Sequence, residues 1–371
     1  YRQLQEHLDR QAVGFPATWS GADLRFLRRL FTPDEARVAL HLSFQPTPTE
    51  RIFERAAPSF PAEQTRSLLE SLFRKGAIGW KEKDGDAHWF TLPFIVGMYE
   101  GQDGEPTSEF LADADAYAAT LGFARSFLAA TPSQMRTIPI RKSIPVERHV
   151  ATYDQIRAIV QAASGPFAAF PCLCREKAVL KGKPCAKTSR LETCLGLGSI
   201  AAMILRRGHG REVTREEASS ILQQNEDDGL VLQPANAQQP EFVCSCCGCC
   251  CGMLSFQKLL PRPVDFWTSS HFAAIDEGVC SGCGTCVARC QVRAVSLAGT
   301  PRRARIDERR CIGCGLCVPT CPAAAVSLKP KPSDTVPPRN SEDLYSEILA
   351  NKPPVWRQWW RLFKAAAGWK E

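Results

Sequence analysis

Eight cysteines toward the C-terminal end stand in two copies of one spacing. Cys280, Cys283, Cys286 and Cys290 read C-x2-C-x2-C-x3-C, and Cys311, Cys314, Cys317 and Cys321 repeat it, with Pro322 after the last. Three thiolates at three-residue intervals can wrap one face of a metal cluster. Gly282, Gly284, Gly313 and Gly315 lie among them and leave room for backbone N–H groups to approach the sulfurs. Structural zinc uses paired C-x2-C knuckles rather than a triple run with a distant fourth ligand. Disulfides fit this spacing less well still.

Ten further cysteines lie upstream: Cys172, Cys174, Cys185 and Cys194, then the block Cys244, Cys246, Cys247, Cys249, Cys250 and Cys251. So many thiols outside the repeat imply further metal ligation. Adjacent side chains point in different directions, so Cys246/Cys247 and Cys249/Cys250 are expected to serve different metals or different faces. Ten thiolates suffice for two clusters of the [4Fe–4S] kind with two to spare, or for one cluster and a second site. Zinc on four of them is the alternative. An unusual cluster shared between the two groups is a further one. Their partition is open at this stage.

The doubled run resembles the bacterial ferredoxin with two [4Fe–4S] clusters, in which the fourth cysteine of each run ligates the other cluster. The resemblance implies Cys280, Cys283, Cys286 and Cys321 on cluster I, and Cys311, Cys314, Cys317 and Cys290 on cluster II. Gln291 stands where the first run often carries Pro, which changes a loop constraint and not a ligand.

Composition narrows the alternatives. The chain has 371 residues and a formal net charge of +7, enough length for two or three domains. Eighteen cysteines and no N-terminal apolar run point to a reducing, cytoplasmic setting. No apolar run reaches the roughly 18 residues of a spanning helix. Charge is uneven. From His271 to Pro330 the basic residues Arg289, Arg293, Arg302, Arg303, Arg305, Arg309, Arg310 and Lys329 face the acids Asp276, Glu277, Asp307 and Glu308. Such a rim either steers an acidic redox partner or is simply a solvated hairpin. Gly182-Lys183 and Lys187-Thr188-Ser189 do not form a P-loop, Gly196-Leu197-Gly198 is an isolated G-x-G, and His209 reads as a loop residue. No nicotinamide, flavin or Ser/His/Asp arrangement stands out.

The elements that must position the thiols follow from capping and periodicity. Thr32-Pro33-Asp34-Glu35 predicts a capping box, and Thr47-Pro48-Thr49-Glu50 repeats it. A helix over 61–75 presents Leu68, Leu69, Leu72 and Phe73, and a hairpin turns at Asp84-Gly85. This pattern resembles a winged helix over 20–100. Its charges are balanced, so contact with protein is expected rather than with nucleic acid. A connector over 101–165 carries predicted helices over 108–130 and 154–163. In the cysteine-rich domain, 166–262, helices are expected over 195–207 and from the Thr214–Glu217 capping box to Gly229. The ferredoxin domain covers 271–330. The tail, 331–371, carries an amphipathic helix in which Val355, Trp356, Trp359, Trp360, Phe363 and Ala367 oppose Arg357, Arg361 and Lys364. It suits a partner groove, packing on its own chain, or peripheral membrane contact at the inner face. The fold class expected is α+β: a winged-helix-like domain, a helical cysteine-rich middle and a βαβ-βαβ dicluster domain.

With Cys172-Leu173-Cys174-Arg175 opening the middle and the C-x-C-C-x-C-C-C block closing it, the chain resembles ferredoxin-type iron–sulfur proteins of anaerobic bacteria. The resemblance implies single-electron transfer through clusters, beside redox partner proteins in a multi-subunit oxidoreductase complex, and not a stand-alone catalyst. Two alternatives remain: a catalytic subunit with an open iron in the middle, and a redox-sensing DNA-binding regulator.

Overall fold

The computed structural model describes residues 1–102, 106–144, 152–332 and 336–370. The chain forms two compact units, 1–131 with 202–211 and 345–362, and 132–201 with 212–344 and 363–371.

In the first unit the expected capping box forms. Thr32 Oγ1 accepts from Glu35 N–H at 3.3 Å, and the Glu35 carboxylate accepts from Thr32 N–H at 2.7 Å. Glu35 also accepts from Ser71 Oγ and Lys75 Nζ, each within 2.8 Å, joining helix Pro33–Ala39 to helix Ala62–Arg74. Burial alone would raise its carboxyl, but the Lys75 ammonium and the two hydrogen bonds bring it below the usual range.

The second expected box does not form. Thr47–Pro48 pairs instead with Asp86–Thr91, and the Thr49 hydroxyl accepts from Trp89 Nε1 at 2.8 Å. Sheet pairing takes the backbone that a cap would have used. The hairpin Ile78–Lys83/Asp86–Thr91 turns at Asp84 and Gly85, both at positive φ, as an Asp-Gly turn requires. The spatial order is Thr47–Pro48, Asp86–Thr91, Ile78–Lys83. The helix expected over 108–130 is two, Ser108–Ala118 and Leu121–Ala129, because Thr120 caps the second by accepting from Phe123 N–H. The break expected over 101–104 lies partly outside the described residues.

The second unit corrects the expectation of a helical middle. Its frame is a five-stranded sheet in the order Arg211–Val213, Phe167–Pro171, Glu192–Leu197, Phe242–Cys246, Val231–Pro234. The helix expected over 195–207 begins only at Ser199. Residues 192–197 form a central strand buried on both faces, whose continuous apolar character does not distinguish it from a helix. Gly198, at φ +55°, then turns the chain into the helix. Helices Ile156–Ala162 and Arg215–Asp228 cover one face of the sheet through Ile159, Val160, Ala218, Ile221 and Leu222. Thr214 caps the latter and Gly229 ends it in the left-handed conformation, as expected.

Downstream, His271–Ile275 pairs antiparallel with Val326–Pro330, and Val295–Ala298 with Arg303–Ile306. A short helix, Thr285–Arg289, follows the first cysteines, whereas the matching segment 316–320 runs as turns. Cys246 and Cys251 share one hydrophobic core with Cys280, Cys286, Cys311 and Cys317.

Candidate metal centres

The two cysteine runs occupy matching places in a quasi-symmetric module. Backbone N–H groups donate to sulfur at equivalent positions: Ala304 to Cys280 (3.4 Å) and Ala273 to Cys311 (3.3 Å), then Ala294 to Cys290 (3.2 Å) and Ala325 to Cys321 (3.3 Å). Gly282 and Gly313 are equivalent too. Both have positive φ, and a Cβ would stand 2.2 Å from Arg302 O in one and 2.1 Å from His271 O in the other. The backbone is drawn in so tightly there that only glycine fits.

The thiols of this module are held apart. Among the described residues none is in hydrogen-bonding contact with another thiol of the set, which leaves room for inorganic core atoms between them. Electrostatically they form groups. Cys290 acts on Cys311, Cys314 and Cys317, while Cys286 feels Cys280 and Cys283. Burial, then the neighbouring thiols, pushes Cys314 up to about 12 and Cys317 higher. These thiols release protons readily only to a metal. The Cys283 side is open: Cys283 is exposed, as are Arg302 and Arg305.

The ten upstream cysteines separate into two sets. Six form a closed cycle of interacting thiols: Cys172 with Cys174, Cys174 with Cys251, Cys251 with Cys246, Cys246 with Cys244, Cys244 with Cys194, and Cys194 with Cys172. They come from the end of strand Phe167–Pro171 and the first turn of helix Leu173–Leu180, from strands Glu192–Leu197 and Phe242–Cys246, and from the start of helix Gly252–Leu259. The other four, Cys185, Cys247, Cys249 and Cys250, place all their sulfurs within 4.8 Å of one another. Burial opposes charge on Cys185. The N–H groups of Lys187 and Thr188 and the thiols of Cys247 and Cys249 bring it down to about 6. Burial, relieved in part by Arg175, holds Cys247 at about 11.

Arg175 joins the two sets. It is 1% exposed, donates to Ser245 O at 2.7 Å and to Thr193 Oγ1, and interacts with Cys172, Cys194, Cys247 and Cys185. Desolvation works against its charge, but the surrounding sulfurs keep the guanidinium firmly protonated. Its Nε has no partner among the described residues. A buried cation among ten thiols is what a negatively charged thiolate–metal site requires, so the residues fit metal.

Two glutamines complete the setting. Gln233 Nε2 donates to Cys246 Sγ at 3.3 Å. Gln291 Oε1 accepts from Gly248 N–H at 2.8 Å, inside the cysteine block, and its Nε2 donates to Gly229 O at 3.2 Å. Arg289 donates to Glu226 O and Asp227 O beside it. The position read as a relaxed loop constraint is thus the junction between the cysteine run and the sheet domain. Arg175 was visible in the sequence only as a letter of the C-x-C-R motif, and nothing signalled the contacts of Gln291.

Residues 279–325 match the family model described as the 4Fe-4S dicluster domain. That region therefore defines a class of site, an iron–sulfur dicluster with further thiols in its core. No curated protein sequence and no solved structure gives a significant match to the chain.

Proposed function

We propose that the chain is an electron-transfer iron–sulfur protein that relays single electrons as a subunit of a larger oxidoreductase assembly. The reading rests above all on one observation: Cys244, Cys246 and Cys251 of the six-membered cycle line one continuous core with seven of the eight dicluster thiols. In it Cys280, Cys283, Cys286 and Cys321 hold one [4Fe–4S] cluster, and Cys311, Cys314, Cys317 and Cys290 hold the other. The grouping of Cys290 with the second run supports the crossed assignment. The six-thiol cycle holds a further iron–sulfur cluster.

Bound clusters supply reversible one-electron chemistry; the rest belongs to the chain. The N–H donors on Cys280, Cys290, Cys311 and Cys321 stabilise negative charge on sulfur, and burial excludes water around Cys311 and Cys317. Cys283 with Arg302 and Arg305 offers a basic, exposed edge to an acidic redox partner.

The N-terminal order of helix, strand, two helices and hairpin supports the winged-helix reading, used for protein contact. Its helix Ala62–Arg74 is engaged by its own chain. Arg206 pairs with Glu70 at 2.7 Å and stacks over Phe73 and Trp80. Such a face is poorly disposed to read DNA. Among the described residues no helix is long and apolar enough to cross a membrane.

The test is iron and acid-labile sulfide per chain on protein purified without oxygen. More than about eight of each is expected; about eight would confine clusters to 271–330 and remove the middle from the electron path.

A further inference from the structure

Among the described residues the four-thiol set alone brings all of its sulfurs into one tight group, whereas the six-thiol cycle meets only between neighbours around its ring. Cys185 Sγ lies 3.5 Å from Cys247 Sγ and 3.6 Å from Cys249 Sγ, and Cys249 Sγ lies 3.7 Å from Cys250 Sγ. All four sulfurs fall within 4.8 Å of one another. A tetrahedral ion with metal–sulfur bonds of about 2.3 Å has sulfur–sulfur edges of about 3.8 Å. A cubane places four irons and four sulfides between its ligands and needs them much further apart. The dicluster thiols provide the internal ruler, since none of them is in hydrogen-bonding contact with another.

We infer that Cys185, Cys247, Cys249 and Cys250 bind one tetrahedral divalent ion, zinc or iron, without inorganic sulfide. The site is structural and separate from the cluster chemistry. All four positions are taken by thiolates, so no open position remains for a substrate.

Its place in the fold gives the ion a task. Cys185 lies in the irregular segment 181–191 between helix Leu173–Leu180 and strand Glu192–Leu197, a stretch rich in Lys and Arg. It has little apolar surface with which to anchor itself. Cys247, Cys249 and Cys250 form the turn after strand Phe242–Cys246. One ion fastens the first segment to the second. Binding exchanges thiol protons for the metal, and Lys187 N–H already donates to Cys185 Sγ at 3.4 Å. The expected division between neighbours holds for Cys246 and Cys247 but not for Cys249 and Cys250, which serve the same site. Cys246 and Cys251 face the six-thiol cycle, while Cys247 and Cys250 face the ion.

The full chain, purified without oxygen, is analysed for zinc, iron and acid-labile sulfide before and after Cys249→Ser. The expected result is one zinc per chain, or one iron in excess of sulfide, lost in the variant while sulfide stays unchanged. Equal loss of iron and sulfide would show that these thiols serve a cluster and would overturn the inference. So would the absence of any ion beyond the sulfide-matched iron. X-ray absorption at the edge of the ion found in the unmutated chain gives a result independent of variant folding. For zinc, four sulfur neighbours at about 2.3 Å and no metal neighbour are expected; a short metal–metal distance would refute the single-ion site. Total sulfide reports separately on the electron-transfer reading, so either can fail alone.

Discussion

The dicluster module and the cysteine-rich sheet domain place similar numbers of thiols by different physics. In the module the backbone does the work. Two short repeats each bring cysteines, glycines at positive φ and N–H donors to equivalent places, and the thiols stay apart. In the sheet domain the thiols come from strands and loops far apart in sequence and touch one another, with Arg175 providing the balancing charge. A local repeat specifies the first site. The second exists only once the sheet has assembled.

The largest expected effect breaks the module itself. Cys290→Ser removes the ligand grouped with Cys311, Cys314 and Cys317, so about four iron and four sulfide should be lost. The paramagnetic signal that survives should be the one that disappears in Cys283→Ser. If both variants lose the same signal, the crossed ligation is wrong.

Next comes the sheet domain's counter-charge. Arg175→Met leaves thiolate charge uncompensated and strands Thr193 Oγ1 and Ser245 O, a loss expected to cost about 3–5 kcal/mol in denaturant unfolding of the full chain. Arg175→Lys keeps the charge but not the fork, and should recover only part. Unchanged stability and unchanged metal content in Arg175→Met would show that the sulfurs do not need the cation, and the contrast between the regions would collapse.

The junction between the two regions is a smaller target. In Gln291→Pro, Gly248 N–H loses its acceptor and Gly229 O its donor, which should cost about 1–3 kcal/mol. Iron and sulfide should stay constant, because neither run loses a ligand. Loss of the cluster on Cys290 instead would mean that Gln291 acts on the ligand loop and not on the junction.

This difference in physics also explains what could be read from the chain. The runs beginning at Cys280 and Cys311 are local, so spacing alone marked them, and residues 279–325 match a dicluster family model. The Thr32/Glu35 box, the Asp84-Gly85 hairpin and the cap pair Thr214/Gly229 are equally local and formed as read. Residues 195–197, the end of the central strand Glu192–Leu197, read as helix because burial on both faces erases the period of two. Thr47 shows the same effect, since a sheet partner at Trp89 overrode its capping potential. The partition of ten thiols into six and four depends on Cys185 meeting Cys247 and Cys249 across the fold, a pairing that no spacing encodes.

The smallest effect on the metal sites is expected from the tail helix Val355–Ala367, where the outward face is the apolar one. Trp356 is 65% exposed, and Trp359, Trp360 and Phe363 are also exposed, while Gln358 and Ala365 turn inward. Arg361 donates to Ala129 O and to Thr131 Oγ1. Deleting the helix would remove these inward contacts and confuse stability with docking. Replacement of Trp356 by Ser leaves them in place. Stability should change by no more than about 0.5 kcal/mol, the usual range for surface positions, with iron and sulfide unaffected. Exposed tryptophans flanked by Arg357 and Lys364 suit a partner surface. In anaerobic extracts of the source cell, the substituted chain should therefore shift from the high-mass fraction toward its own monomer mass. Unaltered migration would show that Trp356 holds no partner, and the assembly would have to form through another face, of which the basic edge beside Cys283 is the natural next choice.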